Sequence, residues 1–342
     1  MIEVSSLSKR YGNHLAVKNA NFSIKKGEVV GFLGPNGAGK STIMNILTGY
    51  LSLTQGKVEI DGFDIMTDPE LAKKRIGYLP EIPPLYLDMT VREYLYFIYD
   101  LKKVKFPKEP HIDEIIRLVR IVEVEERLIK NLSKGYRQRV GIAAALVGNP
   151  DVLILDEPTV GLDPKQIIEI RDLITKLGRN HTIILSSHIL SEVQAVCKRV
   201  IIINKGHIIA DDTPENLSKA LSSDHSLVAR VIGKSEDVEA AINSVRNVYS
   251  IECLGEFEAG SKDYRIVPEG NADIRGELIK RLAEKNKLTL LSLTSNELTL
   301  EQIFLRLTGE DDMGVYFGNT DTAQEEQPEE ISEITEESEE EN

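Results

Sequence analysis

Residues 34–42 constrain this chain more than any other segment, because their order, GPNGAGKST, has the spacing of a phosphate-binding loop. An apolar run of strand type precedes them at 29–33, and residues 42–48 have the composition of a helix start. Strand, glycine-rich loop and helix are the context in which such a loop binds phosphate. The glycines let successive backbone N–H groups turn toward phosphate oxygens, and the positive end of the helix adds to the attraction. A chance glycine-rich turn is the alternative, and the context favours nucleotide binding.

The loop supplies a set of candidate nucleotide-binding residues: Gly34, Pro35, Asn36, Gly37, Ala38, Gly39, Lys40, Ser41 and Thr42. We expect the Lys40 ammonium to reach the β- and γ-phosphates of the nucleotide, where it also acts in catalysis. The Ser41 hydroxyl is expected to bind Mg²⁺. The loop therefore predicts a nucleotide and Mg²⁺ as the cofactors.

The chain of 342 residues is long enough for two or three domains, and its 41% hydrophobic residues can form a core. The two cysteines, Cys197 and Cys253, have no metal-type spacing and are typical of thiols in a reducing compartment. No stretch approaches 18 apolar residues, and the first residues lack the pattern of a secretory signal. We therefore expect a cytoplasmic protein, which could still associate with a membrane partner.

The net charge of −14 belongs to one end of the chain. Residues 309–342 contain fourteen Asp or Glu and no Lys or Arg, which accounts for the whole net charge and leaves residues 1–308 close to neutral. A near-neutral body without a basic run argues against nucleic acid as a partner. The tail is poor in hydrophobic residues and is predicted to be disordered.

The hydrophobic pattern predicts an α/β fold in three parts. Residues 1–221 alternate strand and helix patterns, which indicates a parallel-sheet core with an antiparallel edge sheet at 2–8 and 20–24. A helical insertion is expected at 91–102, 112–121 and 134–147, with Pro107 and Pro110 in the break between the first two helices. Residues 222–308 follow the order βαββαβ, typical of a small α+β ferredoxin-like domain, and a short helix closes them. The acidic tail occupies 309–342.

An acidic pair ends the most apolar strand pattern, DVLILDEP at residues 151–158. Such a continuous apolar run is typical of a buried parallel strand. An Asp at the end of a strand beside a phosphate-binding loop holds Mg²⁺, and we assign this role to Asp156. Glu157 is then expected to point toward the γ-phosphate and to take a proton from the attacking water. The alternative is an ordinary acidic strand end.

Residues 131–139, NLSKGYRQR, resemble the signature of ATP-binding cassette (ABC) proteins, whose usual form is LSGGQ followed by Arg-Gln-Arg. Ser133 and Gly135 match this form, whereas Lys134 and Tyr136 depart from it at the third and fifth positions. Ser133 supplies a hydroxyl at a helix start, and Gly135 lets the backbone approach a phosphate. By itself the segment would indicate a helix N-cap. Its place between the phosphate-binding loop and DVLILDEP favours the family signature.

The resemblance implies roles for several further residues. Tyr11 is similar to the aromatic residue that stacks on adenine, the alternative being a tyrosine of a turn. Glu81 occupies the position of the usual Q-loop glutamine, where its oxygen can serve Mg²⁺ or water but adds a charge. Asp163, in the Gly-Leu-Asp of a D-loop, is expected near the nucleotide of the other subunit. His188 is similar to the switch histidine that contacts the γ-phosphate and acts in catalysis, the alternative being a structural histidine.

The resemblance covers about residues 1–220 and implies the ATP-binding and ATP-hydrolysing subunit of an ABC transporter. Residues 77–86 and 300–304 are most similar to the exporter branch that includes multidrug, sodium-extrusion and gliding-motility ATPases. Such subunits dimerise head to tail around two ATP molecules, with a second copy or a paralogous cassette. Separate integral membrane permease subunits are also implied, docking near residues 81–87 and the helical insertion. The protein would then sit on the cytoplasmic face of the cell membrane.

Two other functions stay open at this stage. One is a soluble ABC-type ATPase in repair or translation, although such proteins usually carry two cassettes in one chain or a long coiled coil. The other is a nucleotide-binding regulator with weak turnover, in which residues 222–308 sense a ligand. Turnover of ATP and association with membranes distinguish these functions from transport.

Overall fold

In a computed structural model of the chain, the described residues are 1–187, 189–221, 226–258, 260–270, 272–284, 287–295 and 298–309. The candidate switch histidine, His188, and residues 310–342 of the predicted disordered tail lie outside the described residues.

The described residues have the predicted alternation of strands and helices, together with some elements that the sequence pattern did not predict. In chain order, the strands are β1 (Ile2–Tyr11), β2 (His14–Ile24), β3 (Val29–Leu33), β4 (Gln55–Ile60), β5 (Phe63–Asp64), β6 (Ile76–Leu79), β7 (Val152–Asp156), β8 (Thr182–Ser186), β9 (Arg199–Asn204), β10 (His207–Asp212), β11 (Leu227–Ile232), β12 (Val248–Glu258), β13 (Ser261–Pro268) and β14 (Thr289–Ser295). The α-helices are α1 (Lys40–Leu47), α2 (Pro69–Lys74), α3 (Val91–Leu101), α4 (Lys108–Leu118), α5 (Lys134–Leu146), α6 (Pro164–Leu177), α7 (Leu190–Val196), α8 (Pro214–Leu221), α9 (Ser235–Asn243), α10 (Arg275–Glu284) and α11 (Leu300–Thr308).

The central sheet brings the predicted nucleotide-binding segments to one edge. Its strand order is β10-β9-β3-β8-β7-β6, and the strands from β9 to β6 are parallel, with β10 antiparallel to β9. Every residue of β7 and β8 is buried, as expected for parallel strands covered on both faces. Since β8 pairs with both β3 and β7, the loops after these three strands begin side by side.

A second sheet, of order β2-β1-β4-β5, is antiparallel and confirms the predicted edge sheet. Tyr11 pairs with His14 at the turn of the β1–β2 hairpin. The α1 residues Ile43 and Met44 are fully buried in the core that this sheet shares with β3, β7 and β8. Helix α1 therefore lies between the two sheets, and its N-terminus is fixed at the edge where the central strands end.

The helical insertion differs from the prediction in its second helix, which spans Lys108–Leu118 instead of 112–121. Helix α4 begins at Lys108, so Pro110 lies in its first turn and Pro107 is its N-cap. The prediction that the helix starts at 112, with Pro110 in the break, is therefore wrong. Proline is tolerated in the first turn because the N–H groups there have no acceptor within the helix. Helices α3 and α5 begin at the predicted residues.

The third sheet, of order β12-β13-β11-β14, is antiparallel and carries α9 and α10. This order confirms the ferredoxin-like arrangement, and its core extends from Leu227 to Leu288. Helix α11 does not share that core, because Leu300 and Ile303 are buried in the core of the first part of the chain. Residues 1–309 together form one compact unit. The division at residue 221 stays a prediction.

The described helices are all too short or too polar to cross a membrane.

Candidate functional site

A cleft of about 520 Å³ opens where β3, β7 and β8 end, beside the β1–β2 hairpin. It brings together many of the residues predicted to bind or act on a nucleotide: Tyr11, Asn36, Gly37, Gly39, Lys40, Ser41, Thr42, Glu81, Asp156 and Glu157. Gly34, Pro35 and Ala38 belong to the same loop but do not line the cleft.

The phosphate-binding loop has the backbone that its glycines predict. Gly37 and Gly39 have φ angles of +77° and +114°, in the left-handed region that a residue with a Cβ rarely adopts. A Cβ on Gly39 would lie 2.8 Å from the carbonyl oxygen of Ala16, and one on Gly34 would lie 2.3 Å from that of Ile203. The loop is therefore packed against neighbouring backbone and requires glycine at both positions.

The Lys40 side chain is buried and held by the loop it belongs to. Its Nζ donates hydrogen bonds to the carbonyl oxygens of Gly34, at 2.5 Å, and Pro35, at 3.1 Å. Burial lowers the pKa of Lys40, and the nearby charges of Glu157 and Asp156 oppose that shift. The cation is therefore partly desolvated and aimed into the cleft, which strengthens its attraction for a polyanion.

Asp156 ends β7 as a buried carboxylate that is 7% exposed. Burial raises its pKa, and the charge of Glu81 adds to the shift. Asp156 pairs in register with Ser186 of β8, whose hydroxyl is near enough to oppose this shift. Nevertheless, Ser186 Oγ has no hydrogen-bond partner of acceptable geometry among the described residues. A buried hydroxyl without a partner, beside a desolvated carboxylate, suits a site that receives a further polar group.

Glu157 has a φ of +48°, which is uncommon for a residue other than glycine. Its N–H donates to the carbonyl oxygen of Ser186 at 3.0 Å, and its own carbonyl accepts from Val160 N at 3.3 Å. These bonds hold the backbone in a conformation that turns the chain away from the strand immediately after Asp156. Strained backbone of this kind is concentrated at functional sites.

Tyr11 brings an exposed aromatic ring to the rim of the cleft, with 43% of its surface accessible. The ammonium of Lys9 lies 5.2 Å from the ring centroid and donates to the carbonyl oxygen of Ser52 at 2.6 Å. An aromatic face that lines the same cleft as the phosphate-binding loop is suited to stacking on a base.

Ser133, Gly135 and Asp163 lie outside this cleft. Ser133 is the N-cap of α5 and Asp163 is the N-cap of α6. Gly135 and Asp163 line a separate recess of about 320 Å³ together with Gln166. A Cβ on Gly135 would lie 2.4 Å from Oε1 of Gln166. The signature and D-loop segments of one chain therefore contact each other and not the cleft of that chain.

The two departures from the usual signature have neighbours of their own. Tyr136 Oη donates to Glu123 Oε1 at 2.7 Å, and this bond raises the pKa of Tyr136 and lowers that of Glu123. The Lys134 ammonium lies against Gly161, since a Cβ added to that glycine would be only 2.1 Å from Nζ of Lys134. Tyr136 therefore lies at the recess with Glu123, whereas Lys134 lies beside the D-loop.

Four lining residues were not predicted from the sequence: His14, Ala16, Val160 and Ser186. Two of them carried a usable signal. His14 is brought to Tyr11 by the hairpin turn, and Ser186 ends the strand that pairs with β7.

Known proteins resemble most of the chain and not only its motifs. The family described as ABC transporter matches residues 17–160. The bacitracin transport ATP-binding protein BcrA of Bacillus licheniformis is 33% identical over 90% of this chain and 97% of its own length. The Nod factor export ATP-binding protein I of Rhizobium meliloti is 32% identical over 90% of this chain and 88% of its own length.

Solved structures agree with these relatives. The dimeric post-hydrolysis structure of the ATP-binding cassette MJ0796, bound to ADP and Pi, superposes with a TM-score of 0.57 at 27% identity. The superposition covers 62% of this chain and 98% of the MJ0796 chain. The cleft, the motifs and relatives similar over their full length show that the chain belongs to the ABC transporter family, as an ATP-binding and ATP-hydrolysing subunit.

Proposed function

We propose that this chain binds MgATP in the cleft, closes around it as a dimer of cassettes, and drives export through separate membrane permease subunits. The observation that carries the proposal is the meeting of Lys40, Ser41, Asp156 and Glu157 in one cleft. A phosphate-binding cation, two magnesium ligands and an adjacent carboxylate are the parts that ATP hydrolysis needs.

The phosphate-binding loop, from Gly34 to Thr42, would cradle the triphosphate with backbone N–H groups, which all of its residues except Pro35 carry. Lys40 would neutralise the β- and γ-phosphates. Lys40 is already oriented by its two carbonyl acceptors. Tyr11 would stack on the adenine. A bound ATP would therefore lie across the cleft from the β1–β2 hairpin to the end of β7.

The donor set fits Mg²⁺. Ser41, Asp156 and Glu81 offer oxygen ligands, which this ion prefers. The described residues contain no cluster of three or more His, Cys, Asp or Glu that could hold a metal. This suits an ion that is bound by one or two carboxylates together with the substrate phosphates. When bound, Mg²⁺ would neutralise charge that develops on the β- and γ-phosphate oxygens.

Glu157 is the proposed general base. Its carboxylate follows the cleft residue Asp156 directly, and its backbone is held by Ser186. It would accept the proton of the water that attacks the γ-phosphorus. His188 is proposed to contact the γ-phosphate, on the resemblance alone.

The proposed dimer rests on the fact that the signature and D-loop residues do not line the nucleotide cleft of their own chain. Ser133, Gly135 and Asp163 do not line the cleft of their own chain. In a head-to-tail dimer they would complete the cleft of the partner, which would be a second copy or a paralogous cassette. The dimeric state named for the MJ0796 cassette supports this arrangement.

The proposed permease contact lies between Glu81 and α3. Ile82 is 82% exposed, and the exposed ring of Tyr86 packs edge-to-face on Phe97 with centroids 5.2 Å apart. Apolar side chains grouped on a surface suit contact with another protein. Such a contact would place the chain on the cytoplasmic face of the membrane, and the Nod factor relative, which is named for export, supports the direction. Residues 222–308 are proposed as a separate accessory domain that supports the dimer or the permease.

Purified chain supplied with ATP tests the proposal. We expect Mg²⁺-dependent release of phosphate, its loss when the metal is chelated, and its loss in Glu157→Gln, which keeps the size of the side chain but removes the base. The matched control is Glu239→Gln, the same change at an exposed position of α9. Normal turnover in Glu157→Gln would contradict the assigned base. Turnover without any association with membrane subunits would favour a soluble ATPase.

A further inference from the structure

Glu192 is a buried carboxylate that does not line the cleft. It lies in the first turn of α7 and is 3% exposed. Burying a carboxylate is costly unless hydrogen bonds or cations compensate for the lost water. The groups that contact the buried Glu192 carboxylate therefore indicate its role.

One oxygen of Glu192 ties two loops together. Its Oε2 accepts a hydrogen bond from Thr159 Oγ1 and another, at 3.3 Å, from Ser187 Oγ. Thr159 comes two residues after Glu157, whereas Ser187 comes directly after β8. Both hydroxyl-bearing side chains are buried, at 3% and 0% exposure. The carboxylate is thus a shared acceptor for the loop after β7 and the loop after β8.

The hydrogen bonds of Ser187 also include the residue that follows position 188. Ser187 Oγ accepts a hydrogen bond of 3.0 Å from Ile189 N while its hydroxyl donates to Glu192. The residues on both sides of position 188 are therefore attached to the carboxylate. A backbone hydrogen bond of 3.0 Å from Glu157 N to Ser186 O links the same two loops nearer the cleft.

The other oxygen is poorly compensated. Glu192 Oε1 has no hydrogen-bond partner within the described residues. A cation, Nη2 of Arg171 on α6, lies 3.9 Å from it. Its place in the first turn of α7 adds a weak attraction from the helix dipole. Such a partly satisfied buried carboxylate is a poor way to gain stability, which favours a role in holding the loops.

We propose that Glu192 is a positioning residue for ATP hydrolysis. Through Thr159 and Ser187 it sets the spacing between the loop that carries Glu157 and the loop that begins at Ser187, after β8. The inference rests on the proposed role of Glu157 as the base. None of the contacts of Glu192 described above belongs to the phosphate-binding loop, so Glu192 acts on the rate of hydrolysis and not on the binding of ATP.

The test compares Glu192→Met with wild type in the full chain, by steady-state ATP turnover, nucleotide affinity and Tm. Methionine keeps the approximate length of the side chain but removes both carboxylate oxygens and the charge, so neither Thr159 nor Ser187 has its acceptor. We expect kcat to fall roughly 10- to 100-fold, as for a misplacement of about 1 Å at a reacting centre. KM and nucleotide affinity should stay within about twofold of wild type. The control Glu239→Met, the same change at an exposed position of α9, should change neither kcat nor affinity.

Variants of Thr159 show whether Glu192 acts through it. Thr159→Val removes the hydroxyl and should lower kcat, whereas Thr159→Ser keeps it and should restore most of the rate. The double variant Glu192→Met with Thr159→Val should be little worse than Glu192→Met alone, because both changes remove the bond between Thr159 and Glu192. If Glu192→Met does not fold, the comparison of Thr159→Val with Thr159→Ser decides the matter by itself.

Several results would overturn the inference. One is an unchanged kcat in Glu192→Met or in Thr159→Val. Another is a fall in kcat with an equal loss of nucleotide affinity or a large drop in Tm, which would indicate a structural role only. Glu157→Gln separates the two proposals. If that variant turns over normally, the base is misassigned; if it is inactive while Glu192→Met is normal, only the positioning role fails.

Discussion

The ammonium of Lys40 donates a hydrogen bond of 2.5 Å to the carbonyl oxygen of Gly34, within its own phosphate-binding loop. A second hydrogen bond, of 3.1 Å to the carbonyl oxygen of Pro35, also holds the ammonium. The loop thus restrains its own cation and fixes the direction of the Lys40 side chain.

Lys40→Met tests this arrangement, because it keeps the long side chain and removes the charge. A charge-assisted contact is worth about 1.5–3 kcal/mol, so ATP affinity should fall by roughly tenfold or more. Fluorescence titration with a labelled nucleotide measures it. The matched control is Lys219→Met on α8, where the side chain is exposed. Equal affinities in the two variants would contradict the role of Lys40.

Gly39→Ala tests the backbone of the loop. Gly39 has a φ of +114°, and a Cβ there would lie 2.8 Å from Ala16 O. We expect a loss of about 1–3 kcal/mol in the free energy of unfolding, together with weaker ATP binding. Gly276→Ala is the control, because a Cβ in this α10 position meets nothing within 4 Å. It should stabilise the chain by about 0.5–1 kcal/mol. Urea unfolding that ranks the two variants the other way would refute the loop geometry.

Asp156→Asn should separate stability from activity. Burial raises the pKa of Asp156, so this carboxyl binds a proton more tightly in the folded chain than in the unfolded chain. Its contribution to stability therefore falls as the pH rises through that raised pKa. At neutral pH the nucleotide-free variant should have a higher Tm than wild type, and the difference should shrink as the pH is lowered. Mg²⁺-dependent turnover should be lost. A lower Tm at neutral pH would contradict the account of the buried charge.

The acidic tail is expected to be dispensable for hydrolysis. Helix α11 ends at Thr308, and Gly309 follows it with a left-handed φ of +72°, a common helix stop. A chain that ends at residue 309 keeps Leu300 and Ile303 in the core and should retain its turnover and nucleotide affinity. A large loss of either quantity would show that the tail acts on the cassette.

Most of the fold could be predicted because its strands are unusually clear in the sequence. The runs that became β7 and β8 are apolar throughout and end beside residues typical of catalysis. The start of α4 was missed because a proline in a first turn gives the same pattern as a proline in a break. Elements β10 and α8 were also missed. The β10 side chains are only half-buried or exposed, so their hydrophobic pattern is weak.

The candidate site was predictable where one short motif supplies it, as in residues 34–42. The site was less predictable where a contact depends on tertiary packing. The return of α11 to the first core and the placement of Gln166 against Gly135 join residues that are distant in sequence. The role of Glu192 also depends on such a contact, because Thr159 lies 33 residues away in the chain.

The account as a whole depends on a site that two chains share, and a mixture of two inactive variants tests this most directly. Glu157→Gln removes the base, whereas Ser133→Arg would place a bulky side chain in the cleft of the partner. The two proteins are mixed before ATP is added, and the rate of phosphate release is compared with the sum of the separate rates. If Ser133 acts across the interface, a mixed dimer has one site with both defects and one intact site, and activity should be partly recovered. If the mixture is no more active than the separate variants, each site carries a defect from its own chain and the shared site is contradicted.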